Sequence, residues 1–173
     1  MKRLITSKSS KSRLYLSFAL IPVIMSGMCL SQKLPAEDLK TAPLDALYLE
    51  DGKVISLEIS RTSEERRKGL MSREGIGEKE GMLFIFEEGG LPKIWMKNMK
   101  FPIDILWMDS EFRVVHIESN VPPCKDAPCP IYGSKNPADY VLEVKANLVE
   151  EEGIEVGDVL NIIYMLNVPR NKI

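Results

Sequence analysis

Residues 103–117, IDILWMDSEFRVVHI, hold two runs of apolar, aromatic and β-branched residues on either side of Asp109-Ser110-Glu111. Such runs about a short polar turn read as a β-hairpin with strands at 103–108 and 112–117. Working outward, 54–59 alternates Ile55, Leu57 and Ile59 with Ser56 and Glu58, the pattern of a half-buried strand. Residues 82–86 form a continuous apolar run suited to a strand covered on both faces, and 94–97, 140–145 and 159–164 also have strand character. Thr62-Ser63-Glu64-Glu65 is a capping-box pattern, and Arg66, Arg67 and Lys68 suit a helix C-terminus before Gly69. A second helical turn is expected at 148–152. Prolines 122, 123, 128, 130 and 137 make the segment between irregular. The connections are too short for repeated parallel crossovers, which need a dozen or more residues. The expected fold is a β-rich α+β domain. It is a single, compact, mostly antiparallel barrel or sandwich of about six or seven strands with two short helices.

The chain has 173 residues, 45% of them apolar, enough for one core and a leader. Lys2, Arg3, Lys8, Lys11 and Arg13 precede an uncharged run whose apolar heart is LYLSFALIPVIM. A basic segment followed by a short apolar one reads as an export signal, with a membrane anchor as the alternative. The division expected is 1–31 export signal or anchor, 32–48 linker, 49–166 folded domain and 167–173 tail. The protein is then exported to the periplasm or cell surface. Cys29 sits where a lipoprotein places its acylated cysteine, although Met28 is larger than the usual preceding residue. Membrane contact is expected only through the N-terminal segment or a lipid on Cys29. The formal charge of −2 becomes −7 once the five leader cations are set aside. Without a basic stripe, a nucleic-acid partner is not expected.

Three further elements stand out: Gly-Leu-Met-Ser-Arg at 69–73, Gly-Met-Leu-Phe-Ile-Phe at 81–86 and Trp-Met-Lys-Asn at 95–98. In this order they resemble the "domain of unknown function 192" family of bacteria and archaea, over about 54–163. The resemblance implies a compact β-rich domain and weight on Arg73, Trp95, Met96, Lys97, Asn98 and Asp104, without implying an activity. The chain departs from the family at Met99, where Thr is usual, and at Asn147, where Gly is common.

Cys124 and Cys129 lie close together in PPCKDAPCP, and in an exported chain they read as a structural disulfide. Two thiols and the only histidine, His116, fall short of a structural zinc site. Met71, Met82, Met96, Met99 and Met108 raise copper(I), but they are scattered and suit core filling better. No metal or cofactor is expected. Asp104 falls on a strand with apolar residues on both faces, where an isolated charge is costly. Arg73 and Lys97 are the motif-borne cations expected to pair with it. That pair is either a buried structural bridge or the floor of a ligand pocket also lined by Trp95, Asn98 and Tyr132. Trp95 either fills core or presents a stacking surface.

No nucleophile elbow, phosphate-binding glycine loop or zinc-protease helix is present in the sequence. The expected function is therefore non-catalytic binding of an unknown small ligand or envelope protein. Two alternatives stay open. One is an envelope-polymer hydrolase using Asp104 with Glu118 or Glu143; the other is an accessory protein docking through the proline-rich 122–137 loop.

Overall fold

The computed structural model describes residues 45–86 and 89–165. The leader, Cys29, all but the last residues of the linker, and the tail lie outside them. The strands are β1 Ala46–Tyr48, β2 Val54–Ser60, β3 Glu80–Ile85, β4 Lys93–Trp95, β5 Ile103–Met108, β6 Val114–Val121, β7 Ile131–Gly133, β8 Tyr140–Lys145 and β9 Asn161–Ile163. The helices are α1 Ser63–Lys68 and α2 Leu148–Glu151.

Seven strands form one sheet in the order β6-β5-β8-β3-β2-β1-β9, curled into a half-barrel, while β4 and β7 form a separate two-stranded ribbon. A bridge between Arg113 and Val159 draws the two edges of the curl together. Only β2 and β3 pair in parallel, and the chain between them is long enough to hold α1. The expected β-rich, mostly antiparallel domain with two short helices is the fold observed.

Both faces of the central strands are covered. Inside the curl, Leu47, Ile55, Leu83, Leu106 and Leu142 pack with Leu148 and Val149 of α2. On the outer face, Met82, Phe84, Ile105, Trp107 and Val141 lie beneath Leu70, Met96 and Met99 from the loops. All six residues of β5 are consequently buried. This is why its sequence shows no alternation.

Two strands differ from the sequence reading. Ala46–Tyr48, assigned to the linker, pairs with both β2 and β9. Ile131–Gly133, in the proline-rich stretch expected to be irregular, pairs with β4. Each is three residues long, too short to display a period. The second hairpin strand also runs further than expected, to Val121, through a bulge in its pairing with β5.

Candidate functional site

Asp104 corrects the sequence reading most sharply. It is fully buried on the inner face, away from Arg73 and Lys97. Its Oδ1 accepts from the backbone N–H of Asn120 at 2.7 Å, and Oδ2 from that of Val149 at 2.9 Å. The first contact satisfies the bulge in β6, where the register with β5 shifts between Ile103 and Ile105 and Asn120 has φ +51°. The second caps α2, whose N-cap Asn147 supplies no side-chain bond of its own. Asn147 sits at φ +73°, a left-handed conformation that glycine adopts without steric cost and asparagine tolerates. That accounts for the interchange of Gly and Asn at this position.

Arg73 instead grips Glu58 on β2, through one hydrogen bond to Oε1 and another of 2.8 Å to Oε2. The guanidinium holds the Glu58 carboxyl below its ordinary pKa, and the carboxylate raises that of Arg73. Lys97 is exposed and carries its ammonium 5.2 Å from the centre of the Trp95 ring. Asn98 is also exposed, at φ +57° in the turn between Met96 and Met99. Its carbonyl accepts from Ser72 N–H at 2.9 Å, so the backbone of this turn joins two family motifs. Tyr132 pairs with Ile94 and packs half-buried against the outer core, whereas Trp95, its neighbour across the ribbon Ile131 and nearby Leu91 are exposed.

The motifs meet over Glu143. Along the outer face, register sets Glu118, Ile105, Glu143, Met82 and Glu58 side by side on five successive strands. Glycines in the motifs allow close packing on both faces of the sheet, Gly81 against the inner core and Gly69 against the outer. A Cβ on Gly81 would lie 3.0 Å from Leu57 and 3.2 Å from the Glu143 carbonyl. One on Gly69, at φ +46°, would lie 3.3 Å from the Phe84 ring. Gly69 also turns the chain out of α1 so that Leu70 and Met71 pass over the sheet.

A small concavity of about 30 Å³ results, with Glu143, Leu70, Met71, Met96 and Met99 around it. Arg66, Arg67 and Lys68 of α1 lie on one side, and Ile94 and Trp95 of β4 on the other. Glu143 is only 5% exposed and its side chain makes no hydrogen bond among the described residues, whose one fully enclosed unpartnered side-chain oxygen is Ser60 Oγ. Its carboxyl oxygens therefore open onto the concavity. Burial pushes the Glu143 carboxyl up to about 8, against a weaker pull downward from Arg73. Sequence reasoning named Glu143 only as a possible second carboxylate, although an acid between Leu142 and Val144 in an apolar strand is the same signal that drew attention to Asp104.

The hydrolase reading loses its geometry. Asp104 faces the opposite side of the sheet from Glu143 and Glu118, and both its oxygens are occupied. Glu118 and Glu58 are each two strands from Glu143, roughly 10 Å across the sheet, and are engaged by His116 and Arg73. A much larger open concavity, about 820 Å³, lies where the turn after β1 meets the loop after α2. It is lined by Glu50, Asp51, Glu152 and Asp158, with Lys53 bridging Asp51 and Glu152, and includes none of the three motifs.

Cys124 and Cys129 form the expected disulfide, with Cα atoms 5.6 Å apart. Cys124 N–H donates to the Met96 carbonyl at 3.1 Å, and β7 follows two residues after Cys129. The loop thus braces the β4 side of the concavity. Replacing Cys124 by serine is expected to cost about 2 kcal/mol, the loop-closure value for so short a ring. Amide exchange should rise at β4 and β7 and stay unchanged in β5 and β8; equal loosening of all four strands would refute a local brace.

The family model DUF192, described as an uncharacterized ACR, matches residues 42–162. The chain is also similar to the crystal structure of a protein of unknown function from Novosphingobium aromaticivorans. Identity is 31% and the TM-score 0.60, over 68% of this chain and 82% of that one. A second similar crystal structure, from Sinorhizobium meliloti, belongs to a protein provisionally described as a transcription regulator. Identity is 32% and the TM-score 0.60, over 68% of this chain and 91% of that one. No curated protein matches.

Proposed function

The chain belongs to the DUF192 family, and from that premise we propose that it is an exported, non-catalytic domain that binds a small ligand in the concavity above Glu143. One observation carries the reading. A nearly buried carboxyl with no protein partner opens onto the place where the family motifs converge. Buried polar groups ordinarily find partners, so an unpartnered one facing a concavity marks a position for a ligand atom. Absence of chemistry is favoured because the carboxyls that would pair in hydrolysis are separated or already engaged. Export rests on the basic leader with its apolar run and on the paired cysteines. Residues 29–173 are acidic as a whole, which disfavours the nucleic-acid contacts that a transcription regulator needs.

A docking role is the second reading, favoured by Leu91, Trp95 and Ile131, which are 54%, 44% and 65% exposed beside the disulfide loop.

Native mass spectrometry of the full protein, isolated gently from the envelope fraction, tests the first reading. A small-molecule adduct is expected on the wild type and should be missing from Glu143→Leu. The same spectrum should show loss of residues 1–28 or 1–31. Wild type without an adduct, together with methionine methyl resonances unmoved by an envelope extract, would overturn ligand binding. Met1 retained in a membrane fraction would replace cleavage by anchoring.

A further inference from the structure

We infer that the concavity takes the carboxylate head of a small apolar monocarboxylic acid, whose body lies along the exposed Trp95–Ile131 face of the β4–β7 ribbon. The inference rests on the proposed function and names the chemical class of its ligand.

Size comes first. About 30 Å³ holds roughly two water molecules. Two carboxylate oxygens replace two waters, whereas a phosphate group needs more room. The ligand's remainder must then lie outside, where Trp95 and Ile131 stand opposite one another in the ribbon and both are exposed. An apolar body gains by covering them.

Charge selects the sign of the head. Arg66, Arg67 and Lys68 line the concavity, and Lys97 lies at its Trp95 edge. Arg67 and Lys68 have no salt bridge among the described residues. On the sheet side, Glu58 is neutralised by Arg73, and Glu118 is turned to His116. A cationic head would meet this positive rim and would find the Trp95 ring already carrying the Lys97 ammonium. An anionic head is attracted, and a protonated Glu143 donates its O–H to one carboxylate oxygen. With the Glu143 carboxyl near 8, that donor form is the major one at neutral pH.

The test uses the full chain carrying ¹³C-methyl methionine, titrated with octanoate and, separately, with octylammonium. Octanoate is expected to shift the methyls of Met71, Met96 and Met99, while octylammonium leaves them in place. Octanoate affinity should fall about tenfold between pH 7 and pH 9 as Glu143 loses its proton. Glu143→Gln, which keeps a donor but cannot ionise, should bind octanoate without that pH dependence. Arg67→Glu combined with Lys68→Glu should weaken octanoate about tenfold or more. Preference for octylammonium, with binding lost in Glu143→Gln, would overturn the ligand class while leaving the site in place. Methyls unmoved by either probe would overturn the inference and count against the site as well. Octanoate shifts that persist in Glu143→Leu would also overturn it, since they would report adsorption to the exposed ribbon alone.

Discussion

Replacing Asp104 by alanine is expected to lower stability by about 3–5 kcal/mol, since each of its two hydrogen bonds joins a buried carboxylate to a backbone amide. The alanine variant leaves the N–H groups of Asn120 and Val149 without acceptors, at the bulge of β6 and the start of α2. Stabilities of domains this size are commonly only about 5–15 kcal/mol, so the asparagine variant is the safer reading. Asp104→Asn keeps one acceptor and turns an NH₂ group towards the other amide, and should lose about half as much. Urea unfolding of both variants gives the values, and amide exchange should quicken first at Val149 and Asn120. A loss below about 1 kcal/mol for alanine would show that these contacts do not hold the inner face together. Octanoate binding by the folded asparagine variant should match wild type, because Asp104 lies across the sheet from the concavity.

Glu143→Gln is expected to act in the opposite direction, raising stability by about 3 kcal/mol at pH 7. The carboxyl moves from an ordinary 4.5 to about 8 because burial penalises its charge. Between those values the folded chain retains a proton that the unfolded chain has released. Stability therefore falls as pH rises through this window and levels off above about 8, once both states are ionised. The amide variant has no proton to lose, so its stability should be flat across the same range. The lowered carboxyls of Glu58, Glu65 and Glu78 change protonation below the window, and Tyr140, raised to about 12, changes above it. The difference between variant and wild type should accordingly vanish near pH 4 and grow towards pH 8. A difference independent of pH would mean that Glu143 is ionised throughout. A destabilised Gln variant would mean that its charge is already satisfied. Under the proposed ligand-binding role, this cost is of the kind that functional sites commonly impose on stability.

The order and type of most elements were legible in local sequence. Thr62 and Glu65 form both halves of the capping box, and the alternation of β2 appears as alternate burial. Cys124 and Cys129 were pairable because they lie five positions apart and little chain had to be folded correctly to bring them together. Asn98 drew attention as a motif residue, but its role in the fold is conformational: it takes the left-handed turn position and offers a carbonyl to Ser72. The pairing of Asp104 with Arg73 or Lys97 failed for a different reason. Sequence shows that a buried carboxylate needs partners, but the partners were backbone N–H groups, which every residue except proline possesses and which leave no mark in composition. Val149 lies 45 positions away from Asp104 and is brought near only when α2 docks inside the curl. Glu143 was obscured in the same way, because a strand covered on both faces shows no period to say which side an acid occupies. The amino-acid sequence by itself determined most of the strands, the capping box of α1, the disulfide and the family. Tertiary structure alone decided which carboxyl is satisfied and which faces a concavity, because that choice depends on strand register and sheet face, and a one-residue change of register exchanges the two faces.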